Sequence, residues 1–450
     1  MTRMYYSTNH KSPKLDFFSA ILKGQAPDRG LYMPEEIPTV DHDLLTRMKG
    51  MEYYEIAYEV LNLYLDNITS EELRAKCKEA YSFWPRLEKV TDQDTIMWLD
   101  EGPTASFKDF AAQMMSRLMG HKLGEGEKLL ILTATSGDTG SAIAHAFHNI
   151  PNIDVVILFP YTEVSDNQRK QMTTLGGNVT TIAIDGKFDH GQAMVKEAFA
   201  DERLTSLNLT SANSINIARL LPQSVYYFYA YVQSVSNIGD PIVFSVPSGN
   251  FGDMMGAILA WKMGLPIKRI VIATNENDEV PLFMETGIYN KIEPSKKCIS
   301  NAMNVGHPSN FARLIDISGG QMDEKGQLNE SPDLEAMRRL IFATSVTDET
   351  TRETIKSCYD KHKVVIEPHG SVGWRGLEVY RESVPEDDGV MGVSLETANP
   401  AKFPEEIERI LGISPEVPET LAGLSELTEH FDRMGANYDE FYEYLKTREQ

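Results

Sequence analysis

From about Leu129 onward, compact apolar runs alternate with stretches patterned like helices, and this alternation constrains the fold more than any other feature of the chain. The runs are Leu129–Ala134, Asp154–Phe159, Val179–Ile184, Ile242–Val246, Arg269–Ala273 and Val364–Ile366. Short strands separated by helices read as a parallel sheet, because parallel neighbours need a crossover connection, usually a helix. The pattern therefore predicts an α/β fold with mostly parallel sheets covered by helices on both faces. Residues 1–95 lack this texture and mix short helical patterns with loops, including a Pro- and Gly-punctuated stretch from Gln25 to Pro38. The acidic stretch from about Pro415 is expected to be helical and peripheral.

A chain of 450 residues exceeds one average domain, so two or three are expected. No stretch reaches the roughly 18 uninterrupted apolar residues of a membrane span. The N-terminus has neither an apolar signal core nor the Arg/Ser richness of a transit peptide, which leaves the cytoplasm as the expected location. Cys77, Cys298 and Cys358 lie far apart without a CxxC pair, and read as reduced thiols rather than as a disulfide frame or a zinc site. A formal charge of −23 argues against nucleic acid as a partner. If the ligands carry phosphate, positive potential must be concentrated locally, at helix N-termini and a few basic side chains.

Three segments carry chemistry. The first, Gly102–Phe110, begins as a turn and becomes a helix, with Phe107, Phe110, Ala111, Met114, Met115, Leu118 and Met119 at helical spacing and Gly120 placed to end it. Ser106 and Asp109 form an approximate capping box, which puts Lys108 in the first turn. There it faces the positive end of the helix dipole, and burial would lower its pKa further. A neutral lysine amine is what Schiff-base chemistry needs. Taken alone, the segment reads first as a surface lysine whose stem covers apolar neighbours.

The second is the turn Ser136–Ser141, between a buried strand pattern and a helix; its amides and hydroxyls suit a carboxylate or a phosphate. It is not a Walker loop, since no Gly-Lys-Ser/Thr follows. The third, Val246–Asp253, joins the Ile242 run to a helix from Met254 to Met263 that is apolar all round. Such a helix is buried, so an anion held at its start would lie deep.

Together these segments resemble the threonine synthases, a branch of the fold-type-II pyridoxal-phosphate enzymes. The resemblance covers most of the chain: Gly24 to Pro34, the lysine segment, Ser136–Gly140, Asn213–Asn216 with Arg219, Ser248–Asp253, Ala273–Asp278 and Glu396–Phe403. It implies an N-terminal domain (1–95), a unit of 96–235 carrying the lysine segment and a smaller movable α/β core at about 128–210, and a large cofactor-binding domain (236–450).

The implied cofactor is pyridoxal 5′-phosphate, carried by Lys108, the expected catalytic residue. Gly249, Asn250, Phe251, Gly252 and Asp253 are implied to hold its phosphate, and Thr397 to face its ring nitrogen. Ser136, Asp138 and Thr139 are implied to face the substrate carboxylate and the cofactor's ring oxygen. Asn216, Arg219 and Lys402 complete the expected substrate contacts, the last two as candidates for the leaving phosphate. No metal is expected.

The implied reaction takes O-phospho-L-homoserine and water to L-threonine and phosphate, by γ-elimination and β-addition of water. The resemblance is to the longer, typically monomeric branch. Two departures stand out. Asn399 replaces a histidine common among relatives, and His369 lies in a segment that follows the family only in outline, where a satisfied structural role is expected. A phospho-lyase releasing 2-oxobutanoate, ammonia and phosphate shares every cofactor residue named. An amino-acid dehydratase fits the N-terminal signature less well, and a non-catalytic binding protein needs none of these residues.

Overall fold

The apolar runs assemble into two parallel sheets. The larger has six strands in the order Ile341–Ser345, Ile267–Thr274, Ile242–Pro247, Met391–Glu396, Asp94–Trp98 and Arg86–Lys89. All neighbours are parallel except the last pair. The smaller has five strands in the order Asp432–Gly435, Val179–Asp185, Ile153–Pro160, Leu129–Ala134 and Leu209–Ser211, parallel throughout. This computed structural model describes residues 2–124 and 126–448. The N-terminal part contributes a small antiparallel sheet (Leu15–Asp16, Met4–Ser7, Tyr32–Pro34) and several helices.

Two long helices join the sheets into one core. Ile217–Ser234 is buried along most of its length and packs against both Lys108–Lys122 and Gly252–Lys262. Gly252–Lys262 is apolar all round, as its sequence requires, and is buried from Gly252 to Ala260. Gly256 allows its close approach: a Cβ there would lie 2.9 Å from the Gln223 carbonyl oxygen.

Several expectations are corrected. Val364–Ile366 is no strand. It is the extended link between helices Asp348–His362 and Pro368–Ser383, and its apolar side chains plug the cluster around Ile355, Trp374 and Ile96. The lysine helix runs past Gly120 to Lys122.

The residues after Pro415 are neither all helical nor peripheral. Asp432–Gly435 pairs with the free edge of Val179–Asp185, and the helix Tyr438–Lys446 inserts Phe441 and Leu445 into the core beneath the five-stranded sheet. The strand escaped the pattern because only Met434 of its four residues is buried, all that an edge strand this short presents to a core. The chain's end therefore leaves the expected 236–450 unit for the smaller sheet. Likewise Asp94–Trp98, which straddles the expected boundary at 96, belongs to the larger sheet.

Phe441 is fully buried at this junction. Phe441→Ala is expected to cost about 3–4 kcal/mol, the usual range for emptying a buried aromatic site, read as a lower urea midpoint. An unchanged midpoint would show that the terminal helix contributes nothing to the core.

Candidate active site

In a parallel sheet the loops at the carboxyl ends of the strands share one edge, which is where α/β proteins build ligand sites. The loops after Asp94–Trp98, Met391–Glu396 and Ile242–Pro247 all leave from that edge of the larger sheet. The turn after Leu129–Ala134 does the same in the smaller one. They contain nearly every residue singled out above.

The lysine loop is held from two sides. Phe107 N–H donates to the Thr397 carbonyl (2.9 Å) and Asn399 N–H to the Ala105 carbonyl (3.1 Å), so the Lys108 and Thr397 loops are zipped together. Inside the loop, Thr104 donates through its amide and its hydroxyl to the two oxygens of Asp109, both at 2.8 Å. This is not the expected capping box. The helix starts at Lys108, which puts Asp109 too early to reach a cap amide, and Ser106 Oγ is buried without a partner among the described residues. Burial pushes the Asp109 carboxyl up to about 6, against the hydrogen bonds from Thr104.

Lys108 is 12 % exposed, with Nζ 3.6 Å from Asp138 Oδ2 and 4.5 Å over the Phe107 ring. Its pKa is lowered, chiefly by burial and further by the cations Lys402 and Arg219, with Asp138 opposing. Burial works against ionisation of Asp138 too, but Lys402 and Lys108 outweigh it and hold that carboxyl well below the usual range. Lys402 is completely buried, 2.8 Å from Asp138 Oδ1 and 2.8 Å from the Thr104 carbonyl. Gln168 Nε2 donates to the same Asp138 oxygen (2.9 Å).

The Ser136 turn has Gly137 at φ +141°, where a Cβ would collide with Gln168. Thr135 Oγ1 accepts from the amides of Gly137 (3.0 Å) and Gly140 (2.8 Å), fixing the loop, while Ser136 and Thr139 stay half-buried. Arg219 is 2 % exposed; one Nη donates to the Ala212 carbonyl (2.9 Å), and among the described residues its Nε is buried without a partner. Burial brings its pKa down to about 10.

Asn216 is engaged differently from expectation. Its amide donates to the carbonyls of Ile21 (2.8 Å) and Ser211 (2.9 Å), and its oxygen accepts from Ala218 N–H, so it caps the helix Ile217–Ser234.

Phe251 adopts the left-handed conformation (φ +63°) immediately before the helix Gly252–Lys262. The first amides of a helix have no intrahelical acceptor, and a left-handed residue ahead of them gathers them into an anion-binding nest. Gly249 lies against the Ala302–Met303 backbone, where a Cβ would come within 2.8 Å. The Asp253 side chain turns away from such an anion: Tyr226 and Tyr227 (2.7 Å) donate to one of its oxygens, and burial pushes the carboxyl up to about 6. The charge of Lys108 acts on this carboxyl through its field and partly offsets that rise. Thr397 is 6 % exposed at the end of its strand.

A poised amine, an amide nest at a buried helix start and an unpartnered buried guanidinium nitrogen fit a phosphorylated aldehyde such as pyridoxal 5′-phosphate.

The two departures have structural explanations. His369 accepts from Ala302 N–H at Nε2 (3.1 Å), so its proton sits on Nδ1, which donates to Glu367 (2.6 Å); the ring is satisfied. Asn399 donates to Asp100 (2.7 Å) and caps the turn Pro400–Lys402. The sequence reading missed Gln168, the Thr104–Asp109 pair and the two tyrosines on Asp253. Only Gln168 left a signal, as the fourth residue of the capping box that begins at Ser165.

The chain matches three families: pyridoxal-phosphate dependent enzyme over residues 85–394, threonine synthase N terminus over 4–81, and threonine synthase C-terminal over 375–444. It is 38% identical to a threonine synthase of Escherichia coli, covering 94% of each chain. It is 36% identical to one of Serratia marcescens, covering 98% of each. Its structure resembles a threonine synthase of Brucella melitensis with bound pyridoxal phosphate, at TM-score 0.92 and 34% identity with 100% of each chain covered. The Escherichia coli enzyme structure gives 0.88 at 36% identity, over 99% of this chain and 100% of that one. No helix among the described residues is long and apolar enough to cross a membrane. The chain is a pyridoxal-phosphate-dependent enzyme of the threonine synthase family.

Proposed function

We propose that the chain converts O-phospho-L-homoserine and water to L-threonine and phosphate. The observation that carries this reading is the Lys108 amine, largely buried, lowered in pKa and 3.6 Å from Asp138 of the Ser136–Ser141 turn. Pyridoxal 5′-phosphate, when bound, supplies an electron sink for the carbanions of the reaction. The amides of Gly249, Asn250, Phe251, Gly252 and Asp253 would hold its phosphate, and the Thr397 hydroxyl would serve its ring nitrogen. A hydroxyl does not hold that nitrogen protonated as an aspartate would, which moderates the sink and limits side reactions.

Lys108 would hold the cofactor through its amine, and once free of it that amine would serve as the base. It removes the α-proton and afterwards the β-proton, and phosphate leaves from the γ-carbon. The protons taken up would return to the γ- and α-carbons, with the Lys108 amine positioned to move them, and water would add its hydroxyl at the β-carbon. The turn of Ser136, Asp138 and Thr139 orients the substrate carboxylate through amides and hydroxyls. The Asp138 carboxylate is already held by Lys402 and Gln168. Arg219, with its free Nε, and Lys402 supply positive potential for the departing phosphate.

Closure of the smaller unit, core 128–210, over the larger one keeps stray water from the intermediates. The three cysteines are buried and unpaired, which supports a reducing, cytoplasmic setting, and the chain is proposed to act as a monomer without nucleic-acid partners.

Lys108→Ala is expected to lower turnover by at least about 10⁴-fold, the upper reach of acid–base catalysis alone, and to abolish the cofactor's visible absorbance. An active, yellow variant overturns the assignment. Product analysis with O-phospho-L-homoserine is expected to give threonine; 2-oxobutanoate would replace this reading by the phospho-lyase.

Lys402→Met removes a cation beside Lys108 and leaves Asp138 to it alone. Both changes favour the ammonium form, so the Lys108 pKa rises. Capture of the cofactor by the apoprotein is expected to slow at neutral pH and to recover at higher pH, followed by stopped-flow absorbance. An unshifted pH profile would show that Lys402 does not tune the amine.

A further inference from the structure

Asn310 and Arg313 stand one helical turn apart and are both fully buried. Every donor of the Arg313 guanidinium is matched. Nε and one Nη donate to the Tyr32 carbonyl (3.3 and 3.2 Å), and that same Nη donates to the Ile215 carbonyl (2.7 Å). The other Nη donates to the Ser214 carbonyl (3.0 Å) and to the Asn310 side-chain oxygen. All these acceptors are neutral, and Asp316 acts on the guanidinium only through its field. Carbonyl dipoles satisfy the donors but do not neutralise the charge, which only the field of Asp316 offsets in part, so a further anion brought near is favoured.

The partner of Arg313 leads to the cofactor-phosphate loop. Asn310 donates through its backbone amide (3.3 Å) and its side chain (3.0 Å) to the Asn250 carbonyl, and Ser309 N–H donates to the Asn250 side-chain oxygen (3.2 Å). A carbonyl aimed into the nest would repel a phosphate; this grip turns it outward, so that the loop presents amides. The same Asn310 nitrogen lies 3.6 Å from where a Gly252 Cβ would stand. Left-handed Phe251, between Asn250 and Gly252, costs free energy that only an over-determined surrounding supports.

We propose that Arg313, acting through Asn310, is a positioning residue for the cofactor phosphate: it locks the loop Asn250–Gly252 in its amide-presenting form and places a buried guanidinium behind it. The inference rests on the reading that Gly249–Asp253 hold that phosphate. It also makes the N-terminal strand Tyr32–Pro34, through the Tyr32 carbonyl, part of the loop's support.

The test is Asn310→Asp, which keeps an acceptor for Arg313, neutralises its charge and removes the side-chain donor to Asn250. Titration of apoprotein with pyridoxal 5′-phosphate is expected to show a Kd raised about tenfold or more, a factor of ten being a modest perturbation of one anchoring contact. The ³¹P resonance of the bound cofactor is expected to move, while the thermal midpoint of the apoprotein is unchanged or higher. Arg313→Lys, which keeps the charge but not the planar grip, is expected to weaken binding less than Asn310→Asp. A wild-type Kd and ³¹P shift in Asn310→Asp would overturn the proposal, as would a lowered melting point with unaltered affinity. Wild-type protein that takes up no cofactor would instead overturn the reading of the loop itself, and this proposal with it.

Discussion

Asp138 holds two buried lysines with one carboxylate, and the chemistry of the site depends on that imbalance. Lys402 has the closer contact at 2.8 Å and Lys108 the looser one at 3.6 Å. Asp138 therefore anchors Lys402 and leaves Lys108 near a cation that opposes its own protonation. Gln168 and Thr104 finish the arrangement: one donates to Asp138, the other accepts from Lys402. Moving Lys402 into solvent would let the carboxylate settle on Lys108 and quench the amine.

The same local surplus of positive charge resolves how a chain of net charge −23 receives phosphates. Many acidic residues are solvated and screened within about 10 Å, while Lys402, Arg219 and Arg313 are buried, Lys108 is 12 % exposed, and burial pushes the neighbouring Asp109 and Asp253 carboxyls up to about 6. Screening is weak there, so a few cations and a helix start outweigh a distant negative surface. Backbone geometry completes the effect. The zipper between Ala105–Phe107 and Thr397–Asn399 brings the loops of Lys108 and Thr397 into register through backbone hydrogen bonds.

Much of this was legible in one dimension because the signals are local. Buried parallel strands are continuous apolar runs, and five of the six runs are strands within a residue or two of their expected ends. A strand followed by Ser-Gly or Gly-Asn and an apolar helix marks an anion turn wherever it occurs. The failures share a cause as well. Val364–Ile366 has a strand's composition, but it is bounded by two helices that leave it no neighbour to pair with. Asp432–Gly435 has no strand composition, but it meets a vacant edge. Asn216 has the residue type of a substrate contact, but its amide is taken by the Ile21 and Ser211 carbonyls.

By itself the sequence determined the α/β class, the lysine at a helix start, the two glycine-bearing turns and the family, since each is written in neighbouring residues. Tertiary structure alone decided the rest. It assigned Asp138 to Lys402, paired Thr104 with Asp109, turned Asp253 toward two tyrosines, and joined Arg313 to Tyr32 across 281 positions of chain. Such contacts arise between residues whose separation along the chain carries no period and no motif. They form because burial leaves each charge and each donor only the partners that folding happens to bring beside it.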